Sequence, residues 1–217
     1  MKLPIVKQLK KRDRIETAGL QDELIHLLYN VDNSLIIHGG TAIWRCYSGY
    51  RFSVDIDLYS VNFPERLTNF KKELKSNELK LNKLIDTGNI VFLNISSNDI
   101  SVKIEINHKY YPENHVEMEY ELIDGNTLNV LTLSAESLIN EKILAYKDRK
   151  FIRDLYDIYV LLKYVDRPET VKSELLKFIN TLEKPVDENV LKTIVYSGLP
   201  PSYNKMVDYI NQFINSI

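Results

Sequence analysis

Apolar positions recur along the chain with two periods, and the change of period divides it. "QDELIHLLYNV" (21–31) spaces its apolar residues three and four apart, as a helix with one buried face does. "SLIIHGG" (34–40) is a short apolar run closed by two glycines and reads as a buried strand entering a tight turn. "TAIWRCYSGY" (41–50) predicts a short helix closing at Gly49. In "RFSVDIDLYS" (51–60), Phe52, Val54, Ile56 and Leu58 alternate with Arg51, Ser53, Asp55 and Asp57, so a strand with one core face is expected. A charged amphipathic helix is expected over 62–82, then strands over 89–96 and 101–110. A hairpin over 116–132 would turn at Asp124-Gly125.

From Ser134 onward the period is helical, with Ser134 placed as an N-cap. "SAESLINEKILAYKDRKFIRDLYDIYVLLKYV" reads as one long helical stretch, followed by "PETVKSELLKFINTLEK" and a tail after Pro200-Pro201. The expectation is an α+β chain: a mixed αβ lobe over residues 1–130 and a helical lobe over 131–217.

Composition narrows the class. The 217 residues suffice for one sizeable domain or a compact pair of lobes, and 44% apolar with 27% charged residues is ordinary for a globular protein. Lys plus Arg number 28 against 30 Asp plus Glu, so a polyanion would have to be met by a local patch. A single cysteine, Cys46, excludes a disulfide framework and argues against a Cys-based zinc site. The N-terminus shows no apolar core of signal-peptide length, and no run approaches the ~20 apolar residues of a membrane span. A cytoplasmic location with no membrane partner is therefore expected. The four histidines (26, 38, 108 and 115) show no metal-ligand spacing.

The candidate chemistry starts at the strand. Residues i and i+2 stand side by side on one face, ~6–7 Å apart, so Asp55 and Asp57 converge on a small volume. Like charges there repel unless a cation compensates, and a divalent metal with hard oxygen ligands is the usual solution. The chain holds three acidic-x-acidic triplets, and a solvated strand face explains any one of them as well. Context separates this one. "HGGT" (38–41) lies shortly upstream between a strand and a helix, where Gly39 and Gly40 let the backbone approach a ligand and Thr41 adds a hydroxyl. A phosphate cradle followed by a carboxylate pair supplies what a nucleoside triphosphate needs. In "SVKIEINHKY", Lys103 and Glu105 face away from the apolar residues, so Glu105 becomes a third carboxylate if its strand lies beside 51–60. In the helical segment Lys142 and Arg149 are two turns apart on one face. Arg149, Arg153 and Asp157 step by four, and Asp154 and Asp157 are adjacent. Lys150–Asp154 and Arg153–Asp157 are expected as ordinary helix salt bridges.

"GGTAIWRCYSGYRFSVDIDL" resembles the first motif of the AbiEii/AbiGii-type nucleotidyltransferases of the polymerase-beta-like superfamily: Gly-Gly-Ser/Thr, a short helix, Arg-x-Ser/Thr, then Asp-x-Asp on a strand. Lys142 with Arg149, and Asp154 with Asp157, match the family's Lys-x6-Arg and Asp-x-x-Asp motifs, so the resemblance covers residues 34–162. It implies a nucleotidyltransferase-type mixed sheet with flanking helices and a helical C-terminal lobe. It also implies transfer of a nucleotide from an NTP, with Mg²⁺ or Mn²⁺, by a toxin of a type IV toxin–antitoxin or abortive-infection system. The implied acceptor is the 3′ end of tRNA, and a cognate antitoxin is the implied partner. By motif, Asp55 and Asp57 would hold the metal, with Glu105 where relatives often carry aspartate. Gly39, Gly40, Thr41, Ser53, Lys142 and Arg149 would bind the nucleotide, and Asp157 or Asp154 would act as base or positioner. Arg51 and Ser53 read as supports behind the carboxylates. Lys71, Lys72, Lys75, Lys80 and Lys83 are candidates to guide the acceptor. Two other readings stand beside this one: the same transfer onto a protein or small molecule, and a non-enzymatic binding module with structural carboxylates.

Overall fold

In the computed structural model of the chain, residues 3–217 are described. They form two compact units. The first takes the chain up to Cys46 together with Phe52–Thr132; the second takes Tyr47–Arg51 and Leu133–Ile217.

The first unit begins with α1 (Ile5–Gln8) and α2 (Arg12–Val31). Then come β1 (Ile36–His38), α3 (Gly39–Arg45), β2 (Ile56–Tyr59) and α4 (Phe63–Ser76). The strands β3 (Lys80–Asp86), β4 (Ile90–Ser97), β5 (Ile100–Asn107), β6 (His115–Glu121) and β7 (Thr127–Leu133) follow. Among the described residues the strands make one seven-stranded sheet in the order β3-β4-β5-β2-β1-β7-β6. It is mixed: β2 runs parallel to β5 and β1 parallel to β7, while β1–β2, β3–β4 and β4–β5 are antiparallel. Burial alternates along β4 and β5: Val91, Leu93, Ile95, Val102, Ile104 and Ile106 are covered. The fully buried Leu24, Ile25 and Leu28 of α2, which packs on β5, and Phe70 of α4 belong to the same core. The other face of these strands is open, and that asymmetry positions the site. The hairpin turns at Gly125 (φ 97°), where the Leu122 amide donates to the Asn126 carbonyl.

Three expectations need correction here. The strand expected over 51–60 is only Ile56–Tyr59, and Val54 is 47% exposed instead of core. Side chains, not a ladder, take the carbonyls of residues 53–55, as described below. The helix expected over 62–82 stops at Ser76. Glu78 adopts a left-handed conformation (φ 57°), and the amides of Glu78 and Leu79 donate to the carbonyls of Lys75 and Leu74. This is a Schellman stop without its usual glycine, so the sequence carried no marker for it, and Lys80 and Lys83 sit on a strand. The helix expected from Thr41 to Gly49 is Gly39–Arg45: the glycine pair forms its first turn.

The second unit contains α5 (Ala135–Arg149), α6 (Ile152–Leu161), α7 (Pro168–Asn180), α8 (Leu191–Ile194) and α9 (Tyr203–Ser216). Ser134 caps α5 by accepting from the Ser137 amide. The long helix expected through 134–165 breaks at Lys150, which is left-handed (φ 53°). Residues 47–51 join this unit through an antiparallel bridge from Arg51 to Val195 and a hydrogen bond from the Tyr196 amide to the Tyr50 carbonyl.

Candidate active site

Asp57 lies on β2 with its side chain on the open face. Its register partners are His38 on β1 and Glu105 on β5. Directly paired residues share a face, so the neighbourhood of Glu105 expected from the sequence is realised. Asp55 precedes β2 by one residue and is held there by its backbone. The Thr41 hydroxyl donates to the Asp55 carbonyl at 2.5 Å, and Gln21 Nε2 donates to the carbonyls of Ser53 (3.1 Å) and Val54 (2.8 Å). Thr41 is fully buried, and its hydroxyl fixes the aspartate-bearing segment. Gln21 performs the same service from α2, and nothing in the helical pattern had singled it out.

The glycine turn has a specific physical reason. Gly39 has φ +70°, and a Cβ placed on it would come within 2.3 Å of an Asp57 carboxylate oxygen. The backbone therefore passes against Asp57 as only glycine permits. His38 stacks on Tyr59 with ring centroids 4.1 Å apart.

Asp55, Asp57 and Glu105 line one cavity of about 520 Å³ with Lys83, Phe92 and Lys103. Burial first, then the charges of Asp57 and Asp55, push the Glu105 carboxyl above the usual carboxylate range, while His38 works the other way. Among the described residues no three His, Cys, Asp or Glu side chains converge tightly enough to form a ready-made metal site. The donor chemistry nonetheless suits a hard divalent cation: mutually repelling carboxylates, open to solvent, beside a loop with no side chain in the way.

In the second unit the charged motif residues form a closed cluster. Asp157 is 0% exposed, and Arg51 binds it in a fork, Nε to Oδ1 at 2.5 Å and Nη2 to Oδ2 at 2.6 Å. Lys142 Nζ stands 3.4 Å from Asp157 and 3.9 Å from Asp154. Asp154, also 0% exposed, takes a second fork from Arg149 at 2.8 and 2.7 Å. Burial works against the Arg51 charge, but attraction and hydrogen bonding to Asp157 outweigh it, and its pKa stands above the ordinary value. The two salt bridges expected from a continuous helix are absent among the described residues. Lys150 pairs with Glu183 (2.8 Å), and Arg153 lies over the Phe151 ring with its Nε buried and unpartnered. The break at Lys150 takes Arg149 and Arg153 off a common stripe. Arg51, expected as a counter-charge beside Asp55 and Asp57, is instead the partner of Asp157.

The family model of the AbiEii nucleotidyl transferase toxin, of type IV toxin–antitoxin systems, matches residues 26–211. The chain belongs to the AbiEii nucleotidyltransferase family. The match extends well beyond residues 34–162, where the motifs lie, and membership makes the protein an enzyme of nucleotide transfer. Among solved structures, JHP933 from Helicobacter pylori is similar with a TM-score of 0.61 and 20% identity, over 93% of this chain and 91% of that one. MenT4, a nucleotidyltransferase toxin from Mycobacterium tuberculosis, is similar with a TM-score of 0.62 and 19% identity, over 94% and 85%. At such identities the likeness shows the shared fold. No curated protein matches the chain. Among the described residues no helix of this AbiEii member is long and apolar enough to cross a membrane.

Proposed function

We propose that this AbiEii enzyme transfers a nucleotide from an NTP to the 3′-terminal hydroxyl of tRNA, with a divalent metal, Mg²⁺ or Mn²⁺, held by Asp55 and Asp57. The observation that supports this most is the joining of Asp55, Asp57 and Glu105 in one open cavity beside the Gly39 backbone. A bound divalent cation would supply charge stabilisation at the reacting phosphate. The chain's residues do the rest. Gly39, Gly40 and Ser53 are the nucleotide contacts proposed in the first unit. In the transfer, the acceptor oxygen forms a bond to the α-phosphorus, the bond from that phosphorus to the bridging oxygen breaks, and pyrophosphate leaves with the electron pair. The hydroxyl proton needs an acceptor, and the Glu105 carboxylate, which lines the same cavity, is the group proposed to take it. Asp154 and Asp157 read as positioning residues, because their oxygens are engaged by Arg149, Arg51 and Lys142. Lys142 and Arg149 are proposed as residues on which NTP use depends. The helical lobe over 131–217 would be their carrier, the core lobe over 1–130 would hold the carboxylates, and a cognate antitoxin would be the cellular partner.

Incubation with each labelled NTP, total tRNA and Mg²⁺ or Mn²⁺ tests the reading. Label on tRNA is expected with at least one nucleotide. Label on a protein or a metabolite, with tRNA unlabelled, would transfer the chemistry to another acceptor class.

A further inference from the structure

The open face of the sheet continues away from the carboxylates in strict register. One row crosses β3, β4, β5 and β2 as Ile85, Phe92, Glu105 and Asp57; the next runs Lys83, Asn94 and Lys103. A bulge makes the first strand fit. Between Leu81 and Lys83 the register shifts by one, so Leu81 pairs with the buried Ile95 while Lys83 pairs with Asn94 on the open face. Without that shift Lys83 and Ile85 would point into the core side. The result is an apolar plate, the half-buried Phe92 beside the 41% exposed Ile85, flanked by two exposed ammonium groups. Neither Lys83 nor Lys103 forms an ion pair with a described residue.

Aromatic plate and unpaired cations together suit an unpaired nucleobase with its phosphates: the ring stacks and the lysines neutralise. Strand order says which nucleotide. Gly39 meets Asp57 from the β1 side of β2, whereas the plate lies on the β5 side. In-line transfer puts the attacking hydroxyl and the departing pyrophosphate on opposite sides of the phosphorus. With the triphosphate assigned to the glycine side, the plate is on the side of the incoming hydroxyl.

We propose that the face carrying Lys83, Phe92 and Lys103 is the acceptor subsite, taking the unpaired 3′-terminal nucleotides of an RNA. Phe92 and Ile85 stack a terminal base, and the two lysines hold neighbouring phosphodiesters. The assignment of this ligand to the acceptor rests on the transfer reading above; the binding itself does not.

Fluorescence anisotropy of the full chain with an end-labelled, unpaired RNA hexamer, without NTP, tests the binding. Lys83→Ala/Lys103→Ala should weaken it at least tenfold and flatten its salt slope by about 1.4, the value for two phosphates on a single strand. Phe92→Leu should weaken it severalfold. Both variants should keep the wild-type urea midpoint, since the lysines are exposed and Leu preserves an apolar side chain. Two-substrate kinetics then assigns the ligand: the KM for RNA should rise with the KM for NTP unchanged. Hexamer affinity within twofold of wild type in both variants, or a wild type that binds no hexamer, overturns the subsite. A raised KM for NTP alone would make the plate the seat of the incoming nucleotide and overturn the acceptor assignment. Hexamer binding lost in the variants, with no transfer to any RNA by the wild type, leaves the subsite standing and overturns the tRNA reading instead.

Discussion

Two pairs of aspartates stand in this molecule, and their surroundings are opposite. Asp154 and Asp157 are closed in: fully buried, gripped by two guanidinium forks and an ammonium group. Asp55 and Asp57 are open, share a cavity with a third carboxylate, and leave the Glu105 proton harder to remove. Neither Asp55 nor Glu105 forms an ion pair with a described residue. Fixed charges already neutralised by the protein serve its architecture, since an unpaired charge cannot stay buried. Carboxylates open to solvent in a cavity, as Asp55 and Glu105 are, can meet a cation brought from outside. The same residue type at nearly the same spacing therefore meets protein partners in one unit and, in the proposed reading, a ligand in the other.

Breaking the closed pair should cost the most stability. Asp157→Ala leaves Arg51 buried without its partner and should destabilise the fold by about 3–5 kcal/mol in urea unfolding. The combination Arg51→Met with Asp157→Leu should recover part of that loss, because it removes the Arg51 and Asp157 charges together and leaves Lys142 beside Asp154.

Glu136 sharpens the same contrast with backbone donors in place of guanidinium. Its carboxylate accepts from the amides of Asp166 and Arg167, each at 2.9 Å. Burial works to raise its pKa, but those amides and the Ser134 hydroxyl outweigh it and hold the group below the usual range. A depressed carboxylate stabilises the fold above its unfolded pKa of about 4.3 and loses that contribution as pH falls through the lower folded value. Glu136→Gln should cost about 1.5–3 kcal/mol at pH 7. The gap to wild type should close as the buffer is taken below pH ~4, which a series of urea melts reads directly.

On the open side, Gly39→Ala places a methyl against the Asp57 carboxylate at a backbone angle that disfavours it. We expect about 1–3 kcal/mol of lost stability and a much larger loss of nucleotide transfer. Unchanged transfer in a folded Gly39→Ala protein would separate the glycine turn from the site.

The sequence made some of this legible and hid the rest. Alternation in 89–96 and 101–110, the Asp124-Gly125 turn and the Ser134 cap act over a few residues, and each was readable from local pattern. The helix stops at Ser76 and Lys150 use Glu78 and Lys150 in a left-handed conformation usually given to glycine, so no residue announced them. Motif spacing brought Asp55, Asp57 and the Asp154/Asp157 pair to notice. It could not show that Arg51 reaches Asp157, 106 positions away, or that Thr41 and Gln21 hold the Asp55 segment, because those partners meet only in the folded chain. Lys83 stood among the candidate acceptor guides, but its place beside Phe92 and Lys103 became visible only through strand register, which a single sequence does not display.

The most direct measurement compares Asp57→Asn with wild type in two readouts on the same samples: transfer of labelled nucleotide, and Mn²⁺ binding by electron paramagnetic resonance in the presence of NTP. An open pair that serves a ligand predicts transfer reduced on the order of a thousandfold and Mn²⁺ binding lost, with the urea midpoint unchanged. Wild-type transfer and Mn²⁺ binding in a folded Asp57→Asn protein would contradict the account.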